Sequence, residues 1–564
     1  MSDQQAIPGT VHLVDIDGSF QAKHAGGNLR DIVLVPAPSN DPDDPLNWSK
    51  GRKLLSVVCM SMYMIATGIA SSLMYSIIVP VSKDTGLSIA ALNEGTGYNY
   101  LAFGWGCLLW QPAALQFGKR PIYLISLLMS IGITVAVPYA RTQGTWIALK
   151  ILGGLVGAPL ECLGEISIAD VFFSHERGTY LAAYSFTLYT AGFIAPILAG
   201  YITEGMGWRW VQNWGAIWLG IAFVFCFFFM EETNYVRASV LASETQNVIN
   251  GIPTGPAGDE NVSHISTSGE KIFSQKVDAD RQNLDSRNLD VTKQPSNSQE
   301  FPTAGYRPRT YLQKLKMFDK ARPITHFWST VLRPLRLMRY PVILYCAFSY
   351  GGSLIWYSVL NATSSLILSA PPYNFSPGSV GLAYIACIVG VLIGSLLAGS
   401  FGDWIVIKIA RRNKGIWESE YRQWLNLILA LILPFSLILW GVGAANHIHW
   451  FGLVFAMGLT GLVVALGAHL SLSYCIDTYK DFGADAVVSV MCIRNTMGFA
   501  ISYAVTPWVT NMGLQNAFLV AAFAGLAQVL TFLVFIKWGK AIRSSSAAQY
   551  RAEIERAERL GIAH

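Results

Sequence analysis

The chain has 564 residues, of which 52% are hydrophobic and only 13% charged, with a formal net charge of +5 and a mean hydropathy of +0.39. Such a balance excludes a soluble multidomain enzyme, and basic residues scattered through short loops give no footprint for nucleic acid. Apolar runs of about 20 residues recur throughout, so the expected class is an all-α, multi-pass membrane protein.

Residues 1–53 are rich in Asp, Pro and Gly, and read as a disordered cytosolic tail ending in DPDDPLNWSKGRK. Because this stretch is polar, no cleavable signal peptide is expected and the first span must direct insertion. Six spans are predicted over 54–80, 90–112, 121–140, 145–171, 179–202 and 213–231, forming an N-terminal half, 54–232. Six more fall over 341–368, 378–401, 424–445, 449–473, 485–509 and 515–537, forming a C-terminal half, 341–538. Lys119, Arg120, Arg177, Lys408, Arg411, Arg412, Lys414, Arg422 and Lys480 lie in loops on one side, against Lys83, Arg141 and Arg209 on the other. Nine against three places both termini in the cytosol.

Between the halves, 233–340 is read as a cytosolic linker whose Ser-, Asn-, Asp- and Gln-rich centre is disordered. It closes on VLRPLRLMRY, a basic and apolar run expected to lie along the cytosolic membrane face, with recognition by a peroxisomal import receptor as the alternative. The tail 539–564 ends in a charge-alternating stretch expected to form a short solvated helix. Eight cysteines fall inside apolar segments without CxxC spacing, which predicts neither disulfides nor zinc.

The most informative stretch is Trp146–Gly178, WIALKILGGLVGAPLECLGEISIADVFFSHERG, which is apolar enough to span a bilayer yet carries Lys150, Glu161, Glu165 and Asp170. Each mid-membrane charge facing lipid would cost about 2.5–3.5 kcal/mol, so these groups must face a bundle interior or a wet cavity. Glu161 and Glu165 are four residues apart, which stacks them on one helical face about 6 Å apart. Either they form a proton and substrate site or they make a polar contact between packed helices. Asp170, at the span's edge, is expected to pair with Arg177 or a neighbouring loop.

Other candidates follow the same logic. Tyr345, Trp356 and Asn361 in the seventh span suit flat or cationic cargo, or else packing. His469 in the tenth can titrate near neutrality or bridge helices as a neutral ring. Arg494, inside the eleventh, needs an acid, a carbonyl or an anionic cargo, and a structural ion pair is the first expectation.

Local patterns resemble the major facilitator superfamily, and within it the twelve-span drug:proton antiporter family. Gly192-Phe-Ile-Ala-Pro196-Ile-Leu-Ala-Gly200 in span five is similar to that family's antiporter signature, with Ala195 where glycine is usual. Leu115-Gln-Phe-Gly118-Lys119-Arg120-Pro121 resembles the gating-loop motif, with its acid missing at Leu115. Asp403 occupies the matching acidic position in the second half, ahead of ArgArgAsnLysGly (411–415). Lys150 stands where the superfamily's intramembrane arginine is expected, keeping the charge but losing the fork. Stretches such as NDPDDPLNW, GWRW and IRNTMGFAISYAVTPW look closest to fungal members, in the branch that includes a yeast polyamine and histidinol permease.

The resemblance implies twelve helices in two pseudo-symmetric halves, with spans one, four, seven and ten lining a central cavity. The function it implies is proton-coupled movement of a drug-like compound, secondary metabolite or precursor by alternating access, as an antiporter. Proton-coupled uptake of polyamines or other organic cations, and transport of organic acids, are the alternatives. No ATP-binding GxxxxGK[ST] loop, HExxH or GxSxG occurs, so an ATP-driven pump and a hydrolase are not expected; a transporter-like sensor is the remaining different class. The expected partners are a small molecule, protons and lipid, with no cofactor, no metal and a monomeric state. The plasma membrane is the expected location, with a peroxisomal or vacuolar membrane as the alternative.

Overall fold

A computed structural model of the chain describes residues 8–12, 43–234, 315, 327–413 and 416–559. Most of the tail and linker expectations, 1–7, 13–42 and nearly all of 235–326, therefore lie outside the described residues.

Twelve long helical segments carry the fold. The first six are α1 (Lys50–Ser72), α2 (Ile89–Phe117), α3 (Lys119–Ala136), α4 (Gln143–Gly157 continued by Pro159–Val171), α5 (Ser174–Met206) and α6 (Trp208–Phe229). The second six are α7 (Pro341–Ser369), α8 (Pro377–Leu396), α9 (Asn426–Ala445), α10 (Trp450–Thr478), α11 (483–512) and α12 (514–530). Among the described residues, ten stretches are long and apolar enough to cross a membrane. The count reaches twelve because α11 and α12 form one continuous stretch broken at Gly513, and because the polar residues of α2 dilute its 29 residues.

Local chemistry sets the helix ends. Ser88 accepts from the Ala91 N–H at 3.1 Å to cap α2, and Ser376 with Pro377 behind it starts α8. Thr142 and Thr145 form a reciprocal capping box at the start of α4. Gly207 and Gly513 have φ of +89° and +73°, a region that only glycine enters without strain. They sit at the same place in each half, between the fifth and sixth helices and between the eleventh and twelfth. The same tight turn is thus used twice.

Three expectations change. The first span ends at Ser72, and Ile78–Thr85 forms a separate short helix after a turn. The C-terminal tail is not a solvated helix: Phe532–Arg559 is a single helix, and it buries Arg543, Tyr550 and Ala557. Tyr550 packs on Tyr479 and Phe482, with ring centroids 5.2 and 5.8 Å away. The basic run before α7 forms Phe327–Leu337, whose Trp328 and Leu332 stay exposed as expected of a membrane-surface helix. Its Arg333, however, is buried against Asp485 of α11 at 2.9 Å.

A strand, Thr10–His12, pairs antiparallel with Ile416–Glu418 ahead of α9, so the tail is ordered there. All eight cysteines are buried and free. Large apolar side chains such as Leu128, Leu431 and Phe523 remain more than half exposed, as a lipid-facing surface requires.

Candidate functional site

α4 is interrupted at Ala158, because Pro159 has no N–H and restarts the helix there. The restart places Glu161 in the first turn of the new segment, where the N-terminal end of the helix dipole favours a carboxylate. Arg494 Nη2 donates to one Glu161 oxygen as a close ion pair, and Asn495 Nδ2 donates to the other at 2.7 Å. Arg494 Nη2 also reaches Asn495 Oδ1 at 3.1 Å. The guanidinium lies 4.5 Å above the Tyr350 ring, whose hydroxyl meets Tyr189 at 2.9 Å. One acid, one arginine and their tyrosines therefore join α4, α5, α7 and α11.

Glu165 lies one turn further along the same face. Its Oε2 is buried and has no hydrogen-bond partner. Toward the other end of the bundle, the Tyr75 and Tyr100 hydroxyls meet at 2.9 Å. They edge a small cavity between the halves that is also lined by Asn93, Ser358, Asn361 and Ser502. Asn361 accepts from the Tyr384 hydroxyl at 3.0 Å, while its Nδ2 is left unpaired.

Beyond this cavity the halves close on each other. Ser365 Oγ donates to the Ser76 carbonyl at 3.3 Å, and the Gly378 N–H donates to Glu204 at 2.8 Å. Gly200 faces the Pro377–Gly378 backbone, where an added Cβ would come within 2.9 Å of the Gly378 Cα. Gly192 is less crowded: its nearest neighbour would be Ser72 Oγ at 3.7 Å. Gly200 and Pro196 thus lie at the α5–α8 contact, where small residues allow close approach, while Gly192 faces Ser72 and Tyr357.

At the end carrying both termini, Lys119 forms a close ion pair with Asp170, so the acid pairs with a neighbouring loop. Arg120 donates to the Phe227 carbonyl at 2.7 Å and also to the carbonyl of Leu315. The acid missing at Leu115 has a counterpart from elsewhere in the chain. Glu232, just past α6, accepts from the Lys119, Arg120 and Asn234 N–H groups at 3.0, 3.1 and 2.9 Å. Burial raises the pKa of its carboxyl above the usual glutamate value, against the pull of those three donors. Gly118 has φ of +105°, and the same carboxylate fills the space a Cβ there would need.

Several expected site residues lie apart from this cluster. Tyr345 donates to Gln423 at 3.0 Å and stacks on Phe535 at 3.9 Å, deep in the C-terminal half. Trp356 is buried against Gly525 with its indole N–H unpaired. His469 is half-buried on α10. Lys150 lines a different cavity, inside the N-terminal half. Asp403 falls on the helical stretch Gly402–Arg412, but its side chain lies outside the described residues. Tyr75, Tyr100, Tyr189 and Glu232 escaped sequence reasoning. The three tyrosines carried the usable signal, a hydroxyl repeated within otherwise apolar helices.

Against this geometry the comparisons are decisive for family. The Major Facilitator Superfamily profile matches residues 58–491, well over half of the chain. The chain belongs to this superfamily. It is 28% identical over 553 residues to an uncharacterised MFS-type transporter of Schizosaccharomyces pombe, covering 97% of this chain and 94% of that one. It is 24% identical over 557 residues to Protein HOL1 of Saccharomyces cerevisiae, covering 95% of each. To the MFS antiporter QDR3 of Candida albicans it is 24% identical over 576 residues, covering 92% and 82%. Among solved structures, a partially occluded inward-open form of the xylose transporter XylE from E. coli matches with a TM-score of 0.54 at 11% identity. That match covers 86% of this chain and 98% of XylE. The protein is a multi-pass membrane transporter of the major facilitator fold, and not an enzyme.

Proposed function

We propose that the chain is a proton-coupled antiporter for small organic molecules, with Glu161 and Glu165 as its proton-binding acids and Arg494 as the internal counter-ion. The observation that carries this reading is the buried Glu161–Arg494–Asn495 cluster beside an unpartnered Glu165. A buried pair of this kind is poised for exchange, because protonating Glu161 removes the charge that holds Arg494. Arg494 can then turn toward Glu165, and the linked helices α4, α7 and α11 are free to move apart. One proton moving down about 100 mV supplies roughly 2.3 kcal/mol, enough for about a fiftyfold cargo gradient. The names of the relatives MFS antiporter QDR3 and efflux pump FUBT of Fusarium oxysporum agree with export of drug-like compounds or secondary metabolites.

A second reading, transport of polyamines or other organic cations, is favoured by one detail. Arg494 is itself a cation held by a carboxylate and a tyrosine face, which are the groups a cationic cargo would seek. Such a cargo would displace Arg494 from Glu161. The plasma membrane and a monomeric state remain our working expectations.

The test is accumulation in proteoliposomes under an imposed pH gradient, with drug-like compounds, polyamines and organic acids as cargo. Gradient-driven accumulation should vanish in Glu161→Gln and fall in Glu165→Gln. Full accumulation in both would overturn the assignment, and equal transport without a gradient would indicate a uniporter.

A further inference from the structure

Lys150 does not join the central cluster. Eleven residues separate it from Glu161, about 16 Å along a helix. It lines a cavity of roughly 60 Å³ bordered by α1, α2, α3, α4 and α6 of the N-terminal half. The chain contributes donors to that space: Thr67 from α1, Ser130 and Thr134 from α3, Lys150 from α4 and Gln212 from α6. Thr67 is 4% exposed and its hydroxyl has no hydrogen-bond partner; Gln212 is 3% exposed. Gly153 leaves room, since a Cβ there would reach no atom closer than Asn99 Nδ2 at 3.5 Å, whereas the Phe103 ring fills the space beside Gly157.

None of the lining residues is acidic. Among the described residues Lys150 has no carboxylate partner, and its ammonium lies 5.0 Å from the Trp146 ring instead. A lysine at this depth without a counter-charge costs about 2.5–3.5 kcal/mol. A cation–π contact recovers only about 0.5–2 kcal/mol of that. What the site lacks is an anion.

Size and charge narrow the class. Organic cargo occupies pockets of roughly 300–1,000 Å³, so this one is too small, while an ion with a water or two fits. A single lysine and no arginine suit a monovalent ion better than phosphate or sulfate. We propose that this cavity binds a halide-class inorganic anion, held by Lys150 with the Thr67, Ser130 and Thr134 hydroxyls and the Gln212 amide. Gln212 lies one turn inside the start of α6 and Thr134 near the end of α3, so the ion enters from the side opposite the termini. The bound ion would tie five helices of one half into a unit that rocks as a body.

The experiment uses the full chain in nanodiscs, with potassium chloride or bromide exchanged against potassium gluconate at constant ionic strength. Thermal unfolding should shift upward with chloride in a saturable way, and bromide-grown crystals should give an anomalous peak beside Lys150. Lys150→Gln should abolish the saturable shift and Lys150→Arg should keep it. If Lys150→Gln does not fold, Gln212→Leu and Thr134→Val serve instead. Each should raise the half-saturating chloride concentration about three- to tenfold, the loss of one hydrogen bond. Equal stability in chloride and gluconate would overturn the proposal and leave a water-filled cavity. So would a saturable chloride effect that survives Lys150→Gln, or one unchanged by both of the other variants.

Discussion

Removing either partner of the Glu161–Arg494 pair should cost far more than removing both. The side chains are 15% and 5% exposed, so solvent screens little of their interaction. Arg494→Met leaves Glu161 held only by Asn495 at 2.7 Å, with Glu165 one turn away adding like charge. Glu161→Gln leaves the guanidinium over the Tyr350 ring without its anion. Breaking a buried pair from one side costs about 3–5 kcal/mol, whereas replacing both partners by neutral groups is close to neutral. A double-mutant cycle with Glu161→Gln, Arg494→Met and their combination should therefore show a coupling of several kcal/mol. The double variant should be nearly as stable as the wild type. Denaturant unfolding in mixed micelles, followed by tryptophan fluorescence, gives the three differences. If the single losses simply add in the double variant, the two groups do not hold each other and the proposed proton exchange loses its basis.

Other perturbations test the surrounding structure. In Gly381→Leu, the first side-chain carbon would sit 2.6 Å from the Pro196 carbonyl oxygen and 3.0 Å from the Ile197 Cα. Overpacking of this kind costs about 1–3 kcal/mol, so it should disfavour the closed end. A reporter cysteine at Ser365 should then be labelled faster by a polar maleimide, and an unchanged rate would contradict the contact. Because burial raises the Glu232 pKa, its favourable contribution is complete below the ordinary value of 4.5 and is lost as pH rises through the raised one. Stability across that window should fall in the wild type and flatten in Glu232→Gln, as read from melting curves at stepped pH. Arg543→Met should destabilise the C-terminal half by about 3–5 kcal/mol, because it strands Glu420, which accepts two bonds at 2.7 Å. Glu420→Gln added to Arg543→Met should restore most of the loss in the same unfolding assay.

The spans were legible because each has to hide its own backbone in lipid, which writes the requirement into about 20 consecutive residues. Glu161 was legible for the same reason, as an expensive group in an apolar run. Its partner was partly so: Arg494 announced a need, but 333 positions separate the two and no local pattern links them. Lys150 looked like a third member of the same site because it shares α4 with Glu161. The Ala158–Pro159 interruption and the bundle geometry instead turn it into a separate cavity. Tyr345 and Trp356 sat on the expected helix, but their faces point into the C-terminal half, and aromatic residues carry no sign of which face a neighbour will cover. The docked C-terminal helix was missed because its alternating charges suit solvent equally well. Its buried Arg543 is explained by partners distant in sequence, Glu420, Glu418 and the Pro8 carbonyl.

The charged joints of the two halves suggest what must stay rigid while the transporter moves. In the N-terminal half, the chain leaving α6 returns Glu232 to the start of α3 and holds its first N–H groups. In the C-terminal half, the helix following α12 returns Arg543 to Glu420, at the approach to α9. The position is equivalent and the polarity is reversed. Each joint ties the third helix of a half to its sixth, on the outer flank of the bundle. By contrast, among the described residues the links between halves include single hydrogen bonds, glycine contacts and the Glu161–Arg494 ion pair. A rocking motion needs that division of strength: bonds inside a half must outlast those between halves, or the helices would slide separately instead of turning as two bodies. Under the proton coupling proposed above, neutralising Glu161 would touch neither joint, so the proton would act on the weak seam alone.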